Sequence, residues 1–273
     1  METIIPIFRD SDFDNLELVR QIVLYRLKHD HKWDQFDHIW SEQRTGRFVQ
    51  FDPPRLRDRF VVLANEVMWQ LLIQGVITVG VNASNPNLPF FRITDYGAKV
   101  LEAERFVPHD PTGYLEDLNA VIGNTAIDVT VAYVEEALNC FNSGCHVASV
   151  LLLGVAAESV FNNMCDIVQK SLKKKAEQSK LDPQLPVKPR HRWIVQKYQA
   201  LPKQIRKQKL PESLDMTLTS LYDLIRRQRN ELGHPQNKPP ELSREEAYVF
   251  FRLFPGFVTD SQAFADYCKK NGI

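Results

Sequence analysis

The amino-acid sequence predicts a mainly α protein of two domains, an α+β domain over residues 1–110 followed by a helical bundle over residues 115–273. Apolar side chains recur at helical spacing along most of the chain, whereas strand patterns are confined to residues 76–81 and 90–94. A chain of 273 residues, 44% of them hydrophobic and 25% charged, is long enough to build a core in each domain.

Charge and hydropathy limit the function classes. The formal net charge is zero, so any affinity for nucleic acid or a membrane must come from local patches. No run of apolar residues approaches the roughly 18 that a membrane span needs. Residues 1–6 are too short and too acidic for a signal peptide. We therefore expect a cytoplasmic protein without a membrane partner.

The four cysteines, at positions 140, 145, 165 and 268, do not make a disulfide framework, and we expect them to be reduced. Cys140, Cys145 and His146 are close in sequence, but a zinc site would need a second Cys/His pair at ligand spacing. The sequence therefore predicts neither a metal site nor another cofactor.

Helices are predicted in the N-terminal domain over residues 15–28, 34–43 and 55–74. Asp and Asn residues that can cap a helix precede the first, and Gly75 ends the third. A loop rich in Asn and Pro separates the two predicted strands, and another helix begins at Asp95.

This order of helices, a strand, a polar loop and a returning strand resembles a winged helix, and residues 91–101 are similar to the end of a winged-helix wing. In that family the helix before the hairpin often enters the major groove, which would direct Arg55, Arg57 and Arg59 at DNA. Residues 1–110 contain 13 Lys or Arg against 16 Asp or Glu, whereas duplex binding normally uses a basic surface. The domain is therefore expected to bind either DNA or a protein.

Long helical patterns replace strand signals from about residue 117. Residues 117–142 predict one helix, Asn142-Ser143-Gly144 ends it, and residues 145–175 predict the next. Because the link is short, the two helices should form a tight hairpin. The second is apolar over residues 147–161, which predicts burial on most of its faces.

The segment 170–209 is strongly basic, with 13 Lys or Arg against two acidic residues. Pro183, Pro186 and Pro189 predict a partly irregular connection. Trp193 and Tyr198 lie among the cations, which suits single-stranded RNA, because bases stack on aromatic rings and the backbone follows positive charge. A solvated, charged loop is the alternative. The candidate RNA-binding residues are Lys173, Lys174, Lys175, Arg190, Arg192, Trp193 and, further along the chain, Arg226.

A helix is predicted over residues 214–232, because its apolar residues fall on one stripe: Leu214, Leu218, Leu221, Ile225 and Leu232. Arg229 lies at the edge of that stripe and opens an R-N-x-x-x-H motif with Asn230 and His234. The motif combines a permanent cation, an amide and an imidazole that titrates near neutral pH, which suits phosphodiester chemistry. Cations also commonly bond to the last carbonyls of a helix, which is the purely structural alternative.

Glu158 is the only charged residue in the apolar stretch 147–161. A buried carboxylate must be paired or protonated, and Arg229 is a cation next to a core-facing stripe. We therefore predict that Glu158 contacts Arg229. The alternative is that Glu158 reaches solvent at a gap in the packing.

The end of the chain carries two further helical signals. Ser243 and Glu246 have the spacing of a capping box, so a helix should begin there. Residues 261–270 are predicted to form the last helix.

Residues 115–273 resemble a HEPN domain, a nucleotide-binding helical bundle, through three features in the expected order. These are the helical hairpin, the apolar helix that carries Glu158, and the terminal R-N-x-x-x-H motif. The family signature is an arginine followed a few residues later by a histidine, commonly with a polar residue directly after the arginine. Asn230 matches that pattern.

Active members of this family are metal-independent endoribonucleases, usually homodimers in which two copies of the motif form one cleft. The resemblance implies RNA transesterification, in which the ribose 2′-hydroxyl attacks the adjacent phosphorus to give a cyclic phosphate and a 5′-hydroxyl. His234 would move protons, and Arg229 would stabilise the transition state. Asn230 would hold a phosphate oxygen or orient the histidine, and Glu158 would position Arg229.

The resemblance implies a toxin or antiviral effector that attacks RNA as a homodimer. HEPN bundles also occur as inactive modules. The alternative is therefore a non-catalytic nucleic-acid-binding or regulatory protein that uses the bundle for dimerisation.

Overall fold

The structure, a computed structural model, describes residues 6–30, 35–36, 49–103, 107–122, 128–218, 222, 231 and 241–272. The chain divides into two compact units, Met1–Tyr114 and Leu115–Ile273. The described residues are mainly helical, as the sequence predicts.

The N-terminal unit contains the helices α1 (Leu16–His29), α2 (Leu56–Ile73) and α3 (Asp95–Glu102). Their positions confirm the predictions over residues 15–28 and 55–74 and from Asp95. Asn15 caps α1 by accepting the Leu18 N–H at 3.0 Å, and Thr94 caps α3 by accepting the Gly97 N–H at 2.8 Å. The helix predicted over residues 34–43 lies outside the described residues except at Gln35 and Phe36.

Two small sheets accompany these helices. Strand β1 (Ile7–Arg9) pairs in parallel with β2 (Gln50–Asp52). Strand β3 (Ile77–Val79) pairs antiparallel with β4 (Phe91–Ile93). The second pair confirms the predicted hairpin, although its strands are shorter than the sequence pattern. The first pair is not predicted, because three residues are too few to show an alternating pattern.

The core of the N-terminal unit lies between α1, α2 and the strands. Phe8 of β1 is fully buried, and its ring centroid lies 5.5 Å from that of Phe60 on α2 in an edge-to-face arrangement. Val19 of α1 and Val67 of α2 are also fully buried. Burial of such side chains, at about 1.5–3 kcal/mol each, is what holds the short strands against the helices.

The C-terminal unit begins with a helical hairpin. Helix α4 (Pro111–Ile122) contains the division between the units and is followed by α5 (Asp128–Asn142) and α6 (His146–Ser171). The helix predicted over residues 117–142 is helical where it is described, in α4 and α5, and residues 123–127 lie outside the described residues. The Thr130 hydroxyl of α5 donates to the Ser159 hydroxyl of α6 at 2.9 Å, so the two helices run antiparallel as predicted.

The basic segment alternates helices with irregular stretches, and Pro183 and Pro186 lie in the irregular residues 182–186, which confirms the predicted partly irregular connection over residues 170–209. It contains α7 (Lys175–Gln178), α8 (Val187–Ala200) and α9 (Lys203–Lys209). Pro186 and Pro202 directly precede α8 and α9, and Pro189 is the third residue of α8. Because N–H groups in the first turn of a helix have no partner within it, proline is tolerated at these positions.

After α10 (Leu214–Met216), the long helix α11 (Arg244–Asn271) closes the bundle. Its capping box is confirmed, since the Glu246 N–H donates to the Ser243 hydroxyl at 3.2 Å and the Ser243 N–H donates to Glu246 Oε2 at 2.8 Å. The prediction of a separate last helix over residues 261–270 is wrong, because α11 continues through Pro255. Phe254 and Phe257 are fully buried on either side of that proline, so core packing holds both halves in one helix.

Helices α6 and α11 run in the same direction. At their starts, Gly144, Cys145 and Ser243 line one open cleft. At their ends, Lys173 Cε lies 3.9 Å from the position that a Cβ of Gly272 would take. The bundle therefore consists of α5 antiparallel to α6, with α11 parallel to α6.

Helix α6 is the central helix of this bundle. None of residues 146–169, all of which the structure describes, is exposed, which confirms the predicted burial on most faces. Its length and composition match those of a membrane span, with a mean hydropathy of 1.4 over 18 residues. The helix reaches this value as an average, since Ser149, Glu158 and Ser159 interrupt its apolar residues. The packing of α5 and α11 against α6 accounts for its composition as a core helix.

Candidate nucleic-acid interface

The predicted catalytic residues Arg229, Asn230 and His234, together with Arg226, lie outside the described residues. The structure does describe the chain that leads to them. Leu214 and Leu218 are buried, as the predicted apolar stripe requires. His191 Nε2 lies 2.6 Å from the Leu218 carbonyl oxygen, which fastens this segment to α8.

Tyr222 anchors the same segment in the aromatic core of the bundle. Its ring stacks on Phe161 of α6, with centroids 4.6 Å apart, and on Phe257 of α11, with centroids 5.5 Å apart. It is 2% exposed. The predicted stripe does not include Tyr222, since an aromatic residue with a polar tip is ambiguous between core and surface. The chain therefore approaches the motif from a fixed position between α6 and α11.

Glu158 lies on α6, three residues before Phe161, and is partly buried. Its carboxylate is therefore neither fully buried nor exposed, which lies between the two predicted alternatives. Arg229, the predicted partner of Glu158, lies outside the described residues, so their contact stays a prediction. Glu158 shares its helix with the Phe161 ring on which Tyr222 stacks.

The exposed cations of the basic segment are the main surface feature of the C-terminal unit. Of the 13 Lys and Arg residues over positions 170–209, ten are exposed and form what we call the basic surface: Lys170, Lys173, Lys174, Lys175, Lys180, Lys188, Arg192, Lys203, Lys207 and Lys209. Of the two acidic residues in this segment, Glu177 is paired with Lys197, whose Nζ lies 2.8 Å from its Oε1. The hydrogen bond from Lys197, followed by the charges of Lys197 and Lys174, lowers the pKa of Glu177. Most of the positive charge is therefore left available to an anionic partner.

Arg190 does not belong to this surface, which corrects its prediction as an RNA-binding residue. It is 5% exposed, and its Nη1 donates to Asn162 Oδ1 of α6 at 3.0 Å. Its guanidinium carbon also lies 5.7 Å from the centroid of the Phe161 ring. These contacts hold α8 against α6. They also replace the water that a buried guanidinium loses, because a buried charge needs partners within the protein.

The two aromatic residues of the basic segment have different positions. Tyr198 is 4% exposed and packs edge-to-face on Phe264 at 6.1 Å, so the expectation that it stacks on a base is wrong. Trp193 is only partly buried, and Lys197 Nζ lies 5.2 Å from its ring centroid. Trp193, Arg192 and the lysines at 173–175 thus keep the exposure that an RNA contact needs.

In the N-terminal unit, two of the three arginines considered for DNA contact are bound to carboxylates. Arg55 Nη2 lies 3.4 Å from Asp10 Oδ1. Arg59 forms an ion pair with Asp14, and its Nε donates to the Phe13 carbonyl at 3.0 Å. The local acidic residues therefore neutralise much of the charge that duplex binding would use.

The same helix, α2, exposes an apolar stripe. Val62 is 47% exposed, Trp69 is 50% exposed and Ile73 is 81% exposed. Their spacing of seven and four residues places them on one face of the helix. An exposed apolar face next to neutralised cations is more typical of a protein-binding surface than of a DNA-binding one.

The described residues contain no group of three or more His, Cys, Asp or Glu side chains that could hold a metal ion. Cys140, Cys145 and His146 lie near the α5–α6 turn, and burial, followed by the nearby Arg244 cation, lowers the pKa of His146. Two thiols and one imidazole are too few for a structural zinc site.

Comparison of the chain with protein families, with curated proteins and with solved structures gave no match. The assignment of function therefore depends on the residues and geometry of the chain itself.

Proposed function

We propose that the chain is a metal-independent endoribonuclease of the HEPN type that cleaves single-stranded RNA by 2′-hydroxyl transesterification. The observation that carries the proposal is the basic surface. Ten exposed cations and the partly exposed Trp193 belong to the same compact unit as the R-N-x-x-x-H motif. Positive charge tracks the RNA backbone, and an indole ring offers a stacking platform for a base.

The chemistry is assigned to the motif by residue type. His234 would accept the proton of the 2′-hydroxyl and return a proton to the leaving 5′-oxygen. Arg229 would stabilise the negative charge that develops on the phosphorus oxygens. Asn230 would hold a phosphate oxygen or orient the imidazole, and Glu158 would position Arg229. Two copies of the motif across a homodimer seam would complete the cleft.

The segment that precedes the motif is held firmly in the bundle, which supports this proposal. His191 fixes the Leu218 carbonyl, and Tyr222 is stacked between Phe161 and Phe257. Catalytic groups need a rigid support, because a misplacement of about 1 Å can cost about two orders of magnitude in rate. We propose that the protein acts in the cytoplasm as a toxin or antiviral effector.

The test is cleavage of labelled single-stranded RNA in the presence of EDTA by the wild-type chain and by His234→Ala and Arg229→Ala. Each substitution should abolish cleavage, whereas His29→Ala, at an exposed histidine of the N-terminal unit, should leave it unchanged. The products should carry a cyclic phosphate and a 5′-hydroxyl, and a substrate with a 2′-deoxyribose at the cleavage site should resist. Cleavage that persists in both motif variants, or that disappears with EDTA, contradicts the mechanism.

A second candidate function is a non-catalytic regulatory protein that dimerises through the bundle. The ion pairs of Arg55 and Arg59 and the exposed stripe of Val62, Trp69 and Ile73 favour a protein partner for the N-terminal unit in that case. Salt-sensitive binding to RNA or duplex DNA without any cleavage would support this function over the first.

A further inference from the structure

The turn between α5 and α6 brings two cysteines together. Gly144 has a φ of +79°, its N–H donates to the Phe141 carbonyl at 3.0 Å, and the Cys145 N–H donates to the Cys140 carbonyl at 2.8 Å. These two bonds define a Schellman motif, in which the residue after the glycine bonds back to the residue five positions earlier. The side chains of those two positions commonly touch each other in this motif. Here they are the thiols of Cys145 and Cys140.

The geometry also meets the distance requirement of a disulfide. The 2.8 Å bond joins the Cys145 nitrogen to the Cys140 carbonyl oxygen. Because the intervening covalent bonds are about 1.2–1.5 Å long, the two Cα atoms lie no further than about 7 Å apart. Disulfides span Cα separations of about 4.4–6.8 Å, so little or no movement of the turn is needed to close one.

The two thiols are also accessible. Cys145 is exposed, Cys140 is partly exposed, and both are free. The other two cysteines, Cys165 and Cys268, are fully buried, and burial raises the pKa of each thiol to about 12. A thiol that remains protonated is neither a nucleophile nor easily oxidised. The turn therefore holds the reactive pair among the four cysteines of the chain.

We propose that Cys140 and Cys145 are a modification site, a reversible redox pair that closes a disulfide across the α5–α6 turn. The oxidant is a low-molecular-weight disulfide such as oxidised glutathione. The Cys145 thiolate attacks one sulfur of this disulfide, a Cys145–glutathione bond forms, and one glutathione thiolate leaves. Cys140 then attacks the Cys145 sulfur, the protein disulfide forms, and the second glutathione thiolate leaves. The two protons released by the cysteines end on the two glutathiones.

The structure orders these two steps. Burial, then the Glu136 charge and then the Cys145 thiol raise the pKa of Cys140, so Cys145 is the attacking thiol and Cys140 the resolving one. Cys145 also lines the open cleft of about 740 Å³ at the start of α6 and α11. Closing the disulfide would remove the thiol from the cleft and bind the end of α5 to the start of α6.

The experiment equilibrates the full chain in reduced and oxidised glutathione, quenches it with an alkylating agent and measures intact mass and modified peptides. Wild-type protein should lose two hydrogens, and Cys140 and Cys145 should become protected from alkylation together. Cys140→Ser should instead retain glutathione on Cys145. The fraction of Cys145 that carries glutathione should be at least about tenfold lower in the wild-type chain than in Cys140→Ser, because a well-placed internal thiol outcompetes millimolar glutathione.

Two controls make the result decisive. Cys145→Ser should leave Cys140 free of glutathione, since the attacking thiol is gone. Cys165→Ser should behave as the wild-type chain, provided that its fold is intact. The proposal is overturned if the wild-type chain carries as much glutathione on Cys145 as Cys140→Ser does. It is equally overturned if Cys145 forms only disulfides between chains.

Discussion

The hydroxyl of Thr217 donates a hydrogen bond of 2.5 Å to Asp260 Oδ2, and both residues are buried. Ser213 donates to the other carboxylate oxygen at 3.0 Å. Asp260 lies in the middle of α11, and Ser213 and Thr217 flank α10. This carboxylate therefore attaches the chain that leads toward the R-N-x-x-x-H motif to the central bundle.

Replacement of Thr217 by Val should lower the free energy of unfolding by about 1–3 kcal/mol, because a buried carboxylate oxygen loses its donor. Ser213→Ala should lower it by less than about 1 kcal/mol, because Ser213 is exposed and water can replace its hydroxyl. Urea unfolding followed by circular dichroism measures both. Equal losses in the two variants would contradict the assigned importance of the buried bond.

Arg190 and Arg192 should have opposite roles although they are two residues apart. Arg190→Gln should destabilise the bundle by about 1–3 kcal/mol, because the bond to Asn162 and the contact with Phe161 are both lost. Arg192→Gln should leave stability unchanged, lower RNA affinity and reduce the salt dependence of binding by about one counterion or less. Thermal unfolding and RNA titration at several salt concentrations separate the two effects.

Asp110 should make stability depend on pH. Burial is the largest cause that raises its pKa from 3.8 to about 6, against the opposing hydrogen bond from the Gly113 N–H. Because the folded-state pKa lies above the unfolded value, the folded protein holds this proton more tightly. The contribution of Asp110 to the free energy of unfolding should therefore fall as the pH rises from about 4 to about 6 and stay constant above that.

Asp110→Asn removes this dependence and retains an acceptor for the Gly113 N–H. The variant should be more stable than the wild-type chain by about 1–3 kcal/mol at neutral pH and by almost nothing near pH 4. Unfolding curves at a series of pH values provide the measurement. A difference that grows as the pH falls would contradict the assignment.

Replacement of glycine by alanine should change the stability of the protein in opposite directions at Gly97 and Gly256. Gly97→Ala should destabilise the N-terminal unit by about 1–3 kcal/mol or more, because the added Cβ would collide with the Val76 carbonyl oxygen in the backbone. Gly256→Ala in α11 should stabilise the protein by about 0.5–1 kcal/mol, because that position has open space and alanine favours a helix. Melting temperatures of the two variants test the pair.

Local signals allowed much of the fold to be predicted. The Ser243–Glu246 capping box, the glycine that ends α5 and the apolar spacing of Leu214 and Leu218 each depend on neighbouring residues alone. Predictions failed where distant residues decide. The separate helix predicted over residues 261–270 is part of α11, which continues through Pro255 because Phe254 and Phe257 on either side of it are buried in the core.

The candidate interface shows the same distinction. Charge count alone placed Arg190 with the RNA-binding cations, and aromatic character placed Tyr198 with the base-stacking residues. Both are buried, because Asn162 and Phe264 on other helices lie opposite them. A sequence pattern does not contain the identity of such a distant partner. The exposure of Arg192 and of the lysines at 173–175 agrees with prediction, since long charged side chains rarely leave the surface.

Because α6 and α11 are parallel, their C-terminal ends, which carry the same partial charge, lie side by side. The unpaired carbonyls at the end of a long helix carry roughly half a negative elementary charge, so the ends of α6 and α11 repel each other. Lys170 in the last turn of α6 and Lys269 and Lys270 in the last turn of α11 supply the compensating charge. Lys170, the first cation of the basic segment, thus stabilises the bundle itself in addition to contributing to the basic surface.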